Sequence, residues 1–162
     1  MIVSFGVLGM TGLQLAGMKQ STSGFNRSKA LMLTENMATR MRLNRDAARA
    51  QSYKDFDSTA VVCTAKPDPY CQAYDGGDAQ SCSAAQLAAF DMYSVACGDY
   101  GTISANAGVF GLLPSGSKLE VSCNDTPCVD DSSYTIRVSW TEGGNASSDS
   151  QGARTVQMRL LP

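Results

Sequence analysis

The sequence predicts an α+β fold in which a long N-terminal α-helix packs on a small antiparallel β-sheet, with a disulfide-bonded loop region and a short second helix. Three observations predict it. An uncharged N-terminal segment runs without a proline into an amphipathic one. All six cysteines follow that helical segment. The last third of the chain alternates apolar and polar residues in three short runs, which is the period of a β-strand.

The first element is an apolar helical segment. Residues 1–18 carry no charge before Lys19, and eighteen helical residues rise roughly 27 Å, close to the ~30 Å hydrocarbon core of a bilayer. The segment is therefore predicted to be a borderline transmembrane span. Small residues within it would let another helix approach closely, whereas a simple lipid anchor would not require them. The residues to which we assign this helix packing are Gly6, Gly9, Gly12 and Ala16.

The helix is predicted to continue from Ser23 to about Ser52, because no proline interrupts it and apolar residues recur on one face. The apolar face consists of Ala30, Leu33, Met37, Ala38 and Met41. The other face consists of Lys29, Glu35, Asn36, Arg40, Arg42 and Arg45. We interpret the basic residues of its C-terminal half as a solvated face, with contacts to acidic partner surfaces as the alternative; they are Arg40, Arg42, Arg45 and Arg49. The whole helix would have roughly fifty residues and a length of about 75 Å.

A globular domain can cover only the second half of such a helix. We therefore divide the chain into residues 1–22, the apolar half that belongs in a membrane or fibre core, and residues 23–162, a head that includes the amphipathic half. Residues 53–82 are predicted to form a loop, since turn residues interrupt any period. Ser83 and Gln86 then form a capping-box pattern that starts a short helix over residues 84–97.

Three strands follow a glycine-containing loop. They are predicted over Lys118–Cys123, Tyr134–Trp140 and Thr155–Leu160. Their connections are short enough for an antiparallel meander. One side of the middle strand is predicted to pack against the helix. It consists of Tyr134, Ile136, Val138 and Trp140.

Composition argues against an enzyme. The chain has no histidine, which removes the commonest general base and the commonest zinc ligand. We find no catalytic residue, cofactor site or metal site. Acidic clusters at Asp75–Asp78 and around Asp125 and Asp130–Asp131 lack the spacing of a calcium loop, so we interpret them as solubilising charge.

Charge is divided unevenly along the chain. Residues 1–54 contain eight basic and two acidic side chains, a net charge of +6. The other 108 residues contain five basic and thirteen acidic side chains, a net charge of −8. We expect the acidic head not to bind nucleic acid, because such binding needs a basic groove.

The cysteines predict disulfides formed in an oxidising compartment. They are Cys63, Cys71, Cys82, Cys97, Cys123 and Cys128. Cys123 and Cys128 bracket a turn and are expected to pair. Cys82 and Cys97 flank the second helix, roughly 20 Å apart, so they should not pair with each other. Cys82 then pairs with Cys63 or Cys71, and Cys97 takes the one left over.

Several segments resemble PilV-like minor pilins of type IV pili. The N-terminal stretch I-V-S-F-G-V-L-G-M-T-G-L-Q, then N-R-S-K-A and M-A-T-R-M-R-L-N, are similar to the long helix of that family. These segments are Ile2–Gln14, Asn26–Ala30 and Met37–Asn44. Cys82–Asp91 is similar to its C-x-x-x-x-L-A-x-x-D segment. Leu113–Gly116 and the Tyr134–Trp140 strand resemble later parts of the family more weakly.

The resemblance implies the type IV pilin fold and a structural minor pilin. Such a subunit primes pilus assembly, lies at or near the pilus tip, and supports twitching motility, adhesion or DNA uptake. It would be held in the inner membrane of a Gram-negative bacterium with its head in the periplasm before it enters the surface fibre. The implied partners are other minor pilins, the major pilin and a tip adhesin.

Two other functions have the same layout. One is a type II secretion pseudopilin, and the other is a membrane-anchored periplasmic binding or adhesive module. The family's G-F-T-x-x-E processing signal is not found in the chain, and by comparison residue 1 falls about ten residues into the mature helix. We therefore expect a misplaced start codon or a trimmed sequence.

Overall fold

The computed structural model describes residues 2–74, 76–101, 107–142 and 152–162, with the backbone alone at residues 2–13, 15, 16 and 19. A long helix, α1, spans Ile2–Leu43, and a short helix, α2, spans Arg45–Arg49. The sequence predicted a borderline membrane span at the start of this helix. None of the helices in the described part of the chain combines the length and the hydropathy needed to cross a bilayer.

The prediction of one helix reaching about residue 52 is wrong, because α1 ends before Asn44. The side chain of Asn44 is buried and donates hydrogen bonds to the Tyr53 hydroxyl (3.0 Å) and to the Ala84 carbonyl (2.8 Å). These partners come from later parts of the chain. After α2, Gln51 and Asp55 adopt positive φ angles of 62° and 56°, which a helix cannot accommodate. The chain turns there toward the head.

The head adds two further helices and four strands. The strand β1 (Phe56–Asp57) is followed by a 3₁₀ turn at Ser58–Ala60. The two helices are α3 (Ala84–Cys97) and α4 (Val109–Leu112). The remaining strands are β2 (Lys118–Cys123), β3 (Tyr134–Thr141) and β4 (Ala153–Leu160). The capping box that starts α3 is confirmed. The Ser83 hydroxyl accepts from the Gln86 amide at 3.4 Å, and the Gln86 side chain accepts from the Ser83 amide at 2.9 Å. Gly98, with φ of 85°, ends the helix.

The antiparallel meander predicted from the three alternating runs is confirmed. The strand order is β1-β2-β3-β4, and Ile136 of β3 lies opposite Val121 of β2 and Met158 of β4. The sequence missed β1, the 3₁₀ turn and α4. None of these exceeds four residues, so none is long enough to show a period.

The core lies between the amphipathic half of α1 and the sheet. The predicted helix face is buried, with Met37 and Met41 fully enclosed, and α1 packs on β3 and β4. The predicted face of β3 is also buried from Tyr134 to Trp140. Burial of each large apolar side chain contributes about 2 kcal/mol, so the two matching faces are the main source of head stability.

Three disulfides close the head. They join Cys63 to Cys97, Cys71 to Cys82, and Cys123 to Cys128, with Cα atoms 5.4, 5.7 and 6.0 Å apart. The Cys123–Cys128 bridge is the pair expected from the turn between them. Of the two alternatives left open for Cys82, the structure has Cys71, because the loop before α3 folds back on the start of that helix.

We expect a disulfide that closes a longer loop to stabilise the head more than one that closes a shorter loop. The Cys63–Cys97 bridge spans 34 residues and the Cys123–Cys128 bridge spans 5. The chain-entropy relation gives about 4 kcal/mol for the first and about 2 kcal/mol for the second. Urea unfolding of C63S/C97S and C123S/C128S, each against the unmodified chain, measures both losses. An equal or larger loss for the short loop would contradict this ranking.

Candidate assembly surface

The predicted helix-packing residues all lie on the backbone of α1. They are Gly6, Gly9, Gly12 and Ala16. Their side-chain surroundings lie outside what the structure describes, so their packing role stays a prediction. The part of α1 whose side chains are described begins at Gln14, and its surface can be assigned residue by residue.

An apolar stripe runs along the outer side of α1. It consists of Met18, Phe25, Met32 and Leu43, whose side chains are between 53% and 83% exposed. At 100° per residue these four positions lie within about 40° of one another and point roughly 145° away from the buried face. Monomeric proteins rarely expose such a row of large apolar side chains without a partner.

This stripe was not predicted from the sequence. The positions 18, 25 and 32 are seven residues apart, which is the repeat of a helix that packs along another helix. The seven-residue spacing is present in the sequence, but the apolar pattern of the buried face is more pronounced. Only the packed structure shows which of the two faces the head covers.

Lys29 joins the stripe to the head. Its ammonium group lies 4.4 Å from the centre of the Phe25 ring and donates a hydrogen bond to the Leu112 carbonyl at 2.9 Å. The latter contact satisfies a carbonyl at the end of α4. The sequence placed Lys29 on the polar face of the helix but did not predict this contact, because it did not predict α4.

A buried polar cluster fastens α1 to α3. Asp91 of α3 is buried, and its carboxylate accepts from the Arg40 guanidinium at 2.9 Å and from the Tyr53 hydroxyl at 2.7 Å. Arg40 also donates to Ser94 at 3.3 Å, and Tyr53 accepts from Asn44. Arg40 was assigned to the solvated face, and that assignment is wrong because Asp91 of the head binds its guanidinium group. A carboxylate with two such donors ties together both helices and the turn that follows α2.

Burial is the main cause that raises the pKa of Tyr53 well above its ordinary value of 10.0, and the hydrogen bond to Asp91 raises it further. Burial likewise raises the pKa values of Tyr70, Tyr93 and Tyr134. All four hydroxyl groups therefore stay protonated at neutral pH.

A second, aromatic cluster supports the other side of α3. The buried ring of Tyr70 packs edge-to-face on Phe90 and Tyr74, with ring centres 5.0 and 5.1 Å apart. The Tyr70 hydroxyl accepts from the Tyr100 amide at 2.7 Å. Such pairs add about 1 kcal/mol each to the burial energy. Together with two of the disulfides, they make the loop-rich half of the head rigid.

The described residues contain no candidate metal site. No group of cysteine, aspartate or glutamate side chains among them could hold a metal ion. Every buried side-chain nitrogen or oxygen in the described residues has a hydrogen-bond partner. Of the acidic clusters weighed as calcium sites, Asp75 lies outside the described residues. What the head presents is a surface with fixed shape.

Replacing Asp91 with alanine should cost about 3 kcal/mol of stability, because it leaves the Arg40 and Tyr53 donors without their buried acceptor. The matched control is Glu120→Ala, which breaks the more exposed 2.9 Å pair with Lys118 and should cost at most about 1 kcal/mol. Denaturant unfolding of both variants measures the difference. Equal losses would show that the Asp91 cluster has no special role.

Stability should fall at alkaline pH. A folded-state pKa above the unfolded value means that the unfolded chain loses its phenolic protons first. The contribution of each buried tyrosine is then complete below pH 10.0 and is lost as the pH rises toward the folded value. Urea midpoints between about pH 8 and about pH 11 should decline less steeply for Tyr53→Phe than for the unmodified chain. Identical slopes would contradict this assignment.

Comparison with protein families agrees with this architecture. Residues 12–93 match a family described as "Tt1218-like: Type IV pilin Tt1218", which is just over half of the chain. The match runs from α1 into α3 and so includes Arg40, Tyr53 and Asp91 and one complete disulfide, Cys71–Cys82. No match was found among curated proteins or among solved structures. The chain therefore belongs to the Tt1218-like type IV pilin family and is a structural subunit of a type IV pilus.

Proposed function

We propose that this pilin is a minor, PilV-like subunit that helps prime pilus assembly and lies at or near the pilus tip. The observation that carries the proposal is the apolar stripe of α1, defined by Met18, Phe25, Met32 and Leu43. The head covers one face of the helix and leaves this one uncovered. A second helix of the same kind is the partner that fits a row with seven-residue spacing.

The N-terminal half of α1 supports the same packing. A glycine in a water-exposed helix costs about 1 kcal/mol, yet Gly6, Gly9 and Gly12 fall within one short stretch. Small residues remove the side chains that keep helix backbones apart. We infer that helices bundle through this stretch in the fibre core and through the apolar stripe next to the heads.

The head would then lie on the outside of the fibre. Its three disulfides fit formation in the periplasm, where thiols are oxidised. The minor role, the tip position and the PilV-like assignment rest on the resemblance of the α1 and α3 segments. Before assembly, the subunit would be held at the inner membrane by the N-terminal half of α1. At the tip, the head would support twitching motility, adhesion or DNA uptake.

Assembly should depend on the stripe. In cells that lack the native gene, F25E/M32E should be made at normal levels but should be absent from the sheared pilus fraction, because two carboxylates cannot be buried between helices. The matched control is V62E/L161E, which changes two equally exposed apolar residues of the head. Immunoblots of cell and pilus fractions, with counts of pili per cell, measure the effect.

If the subunit primes assembly, its loss should also change the number of pili per cell. Loss of F25E/M32E should reduce the number of pili per cell, while the major pilin continues to accumulate in the cell. Normal pili that contain F25E/M32E would overturn the proposal. Normal pili together with a defect in protein secretion would instead favour the type II secretion pseudopilin.

A further inference from the structure

The C-terminal end of α1 and the helix α2 form a surface with cations that the chain does not use. Arg42 at the end of α1 and Arg45 and Arg49 on α2 are exposed, and the last two are four residues apart on one side of α2. No carboxylate in the described part of the chain lies within 4.0 Å of them. Lys29 and Arg40 differ from these three, because the head binds both.

An apolar side chain lies among these cations. Leu43, the most exposed of the large apolar residues described, falls between Arg42 and Arg45. We name Arg42, Leu43, Arg45 and Arg49 the basic end surface. Asp46 is the one acidic residue in this stretch, so the surface keeps a net charge of +2. Its chemistry calls for a partner with several carboxylates and an apolar group.

The head of the same chain carries such a partner. Asp125, Asp130 and Asp131 are exposed within seven residues, and Val129 between them is 52% exposed. We name residues 124–131 the acidic loop. It is held in one conformation by the Cys123–Cys128 disulfide and by hydrogen bonds to Ser132 and Ser133. A loop that is already ordered loses little conformational entropy when it binds.

The two surfaces do not pair within one molecule. The Tyr134 hydroxyl donates to the Ala48 carbonyl at 2.8 Å, so the strand that follows the acidic loop starts beside α2. Both surfaces therefore lie at the same end of the head. Even so, no salt bridge joins them in the described residues. Two surfaces of opposite charge that no salt bridge joins within one molecule can pair between two copies.

We propose that the basic end surface of one copy binds the acidic loop of a second copy of this chain. Different surfaces of the two copies meet in this contact. The charged side chains carry this contact, and Leu43 and Val129 are next to them in the sequence. The inference rests on the proposed function, because it names a head contact that accompanies the packing of the α1 helices.

Sedimentation velocity of the full 162-residue chain tests this contact. The solvent contains a non-ionic detergent, which disperses the apolar N-terminal half of α1 and adds no charge. The unmodified chain should self-associate at about 50 mM salt and dissociate at about 500 mM, where charges are screened within a few ångströms. R42E/R45E/R49E and D125K/D130K/D131K should each weaken self-association at least about tenfold. An equimolar mixture of the two variants should regain it.

The matched control is R27E/R137E/R159E, which makes the same change in net charge at three exposed arginines elsewhere. It should associate as the unmodified chain does. The inference is overturned if R42E/R45E/R49E equals this control, or if the mixed variants fail to associate. F25E/M32E distinguishes the two proposals, because it should associate normally in detergent and still fail to enter pili. If it enters pili normally, the proposed function fails, whatever the charge variants show.

Discussion

The packing of one face of α1 on the inner face of the sheet is the contact on which the other elements depend. Met37 and Met41 on the helix and Ile136 and Val138 on β3 are fully buried together. The sheet has only four strands, one of them two residues long, and so small a sheet cannot enclose a core by itself. The helix supplies the second layer. Everything that α1 presents to other subunits is therefore a face that this packing leaves over.

Rigid attachments hold those faces in place. Asp91 connects α1, α3 and the turn that contains Tyr53, through hydrogen bonds of 2.7 and 2.9 Å. The disulfides and the aromatic cluster around Tyr70 fix the loops that have little regular structure of their own. The head therefore behaves as one body on the helix. A subunit that contacts several neighbours needs this, because loosely ordered surfaces would lose entropy at every contact.

The sides of α1 serve three purposes. Methionines and small apolar residues face the sheet, the apolar stripe is left uncovered along the outer side, and arginines gather at the C-terminal end. Apolar packing between helices is strong and not directional, so it does not select one register. Charge complementarity between heads does select a register, and it acts over several ångströms. In the assembly that we propose, the two kinds of surface would supply cohesion and order separately.

Much of this could be predicted from the sequence, because its signals are local. The helix Ala84–Cys97, three strands and the two buried faces each follow from a period or a cap within one segment. The end of α1, the short β1 and α4, and the use of Lys29 and Arg40 could not be predicted in this way. Asn44 ends the helix because its side chain binds Tyr53 and Ala84, which follow it by 9 and 40 residues. The sequence by itself determined which faces are apolar and which are charged. The tertiary structure decided which of them are covered, since that depends on partners brought together only when the chain folds.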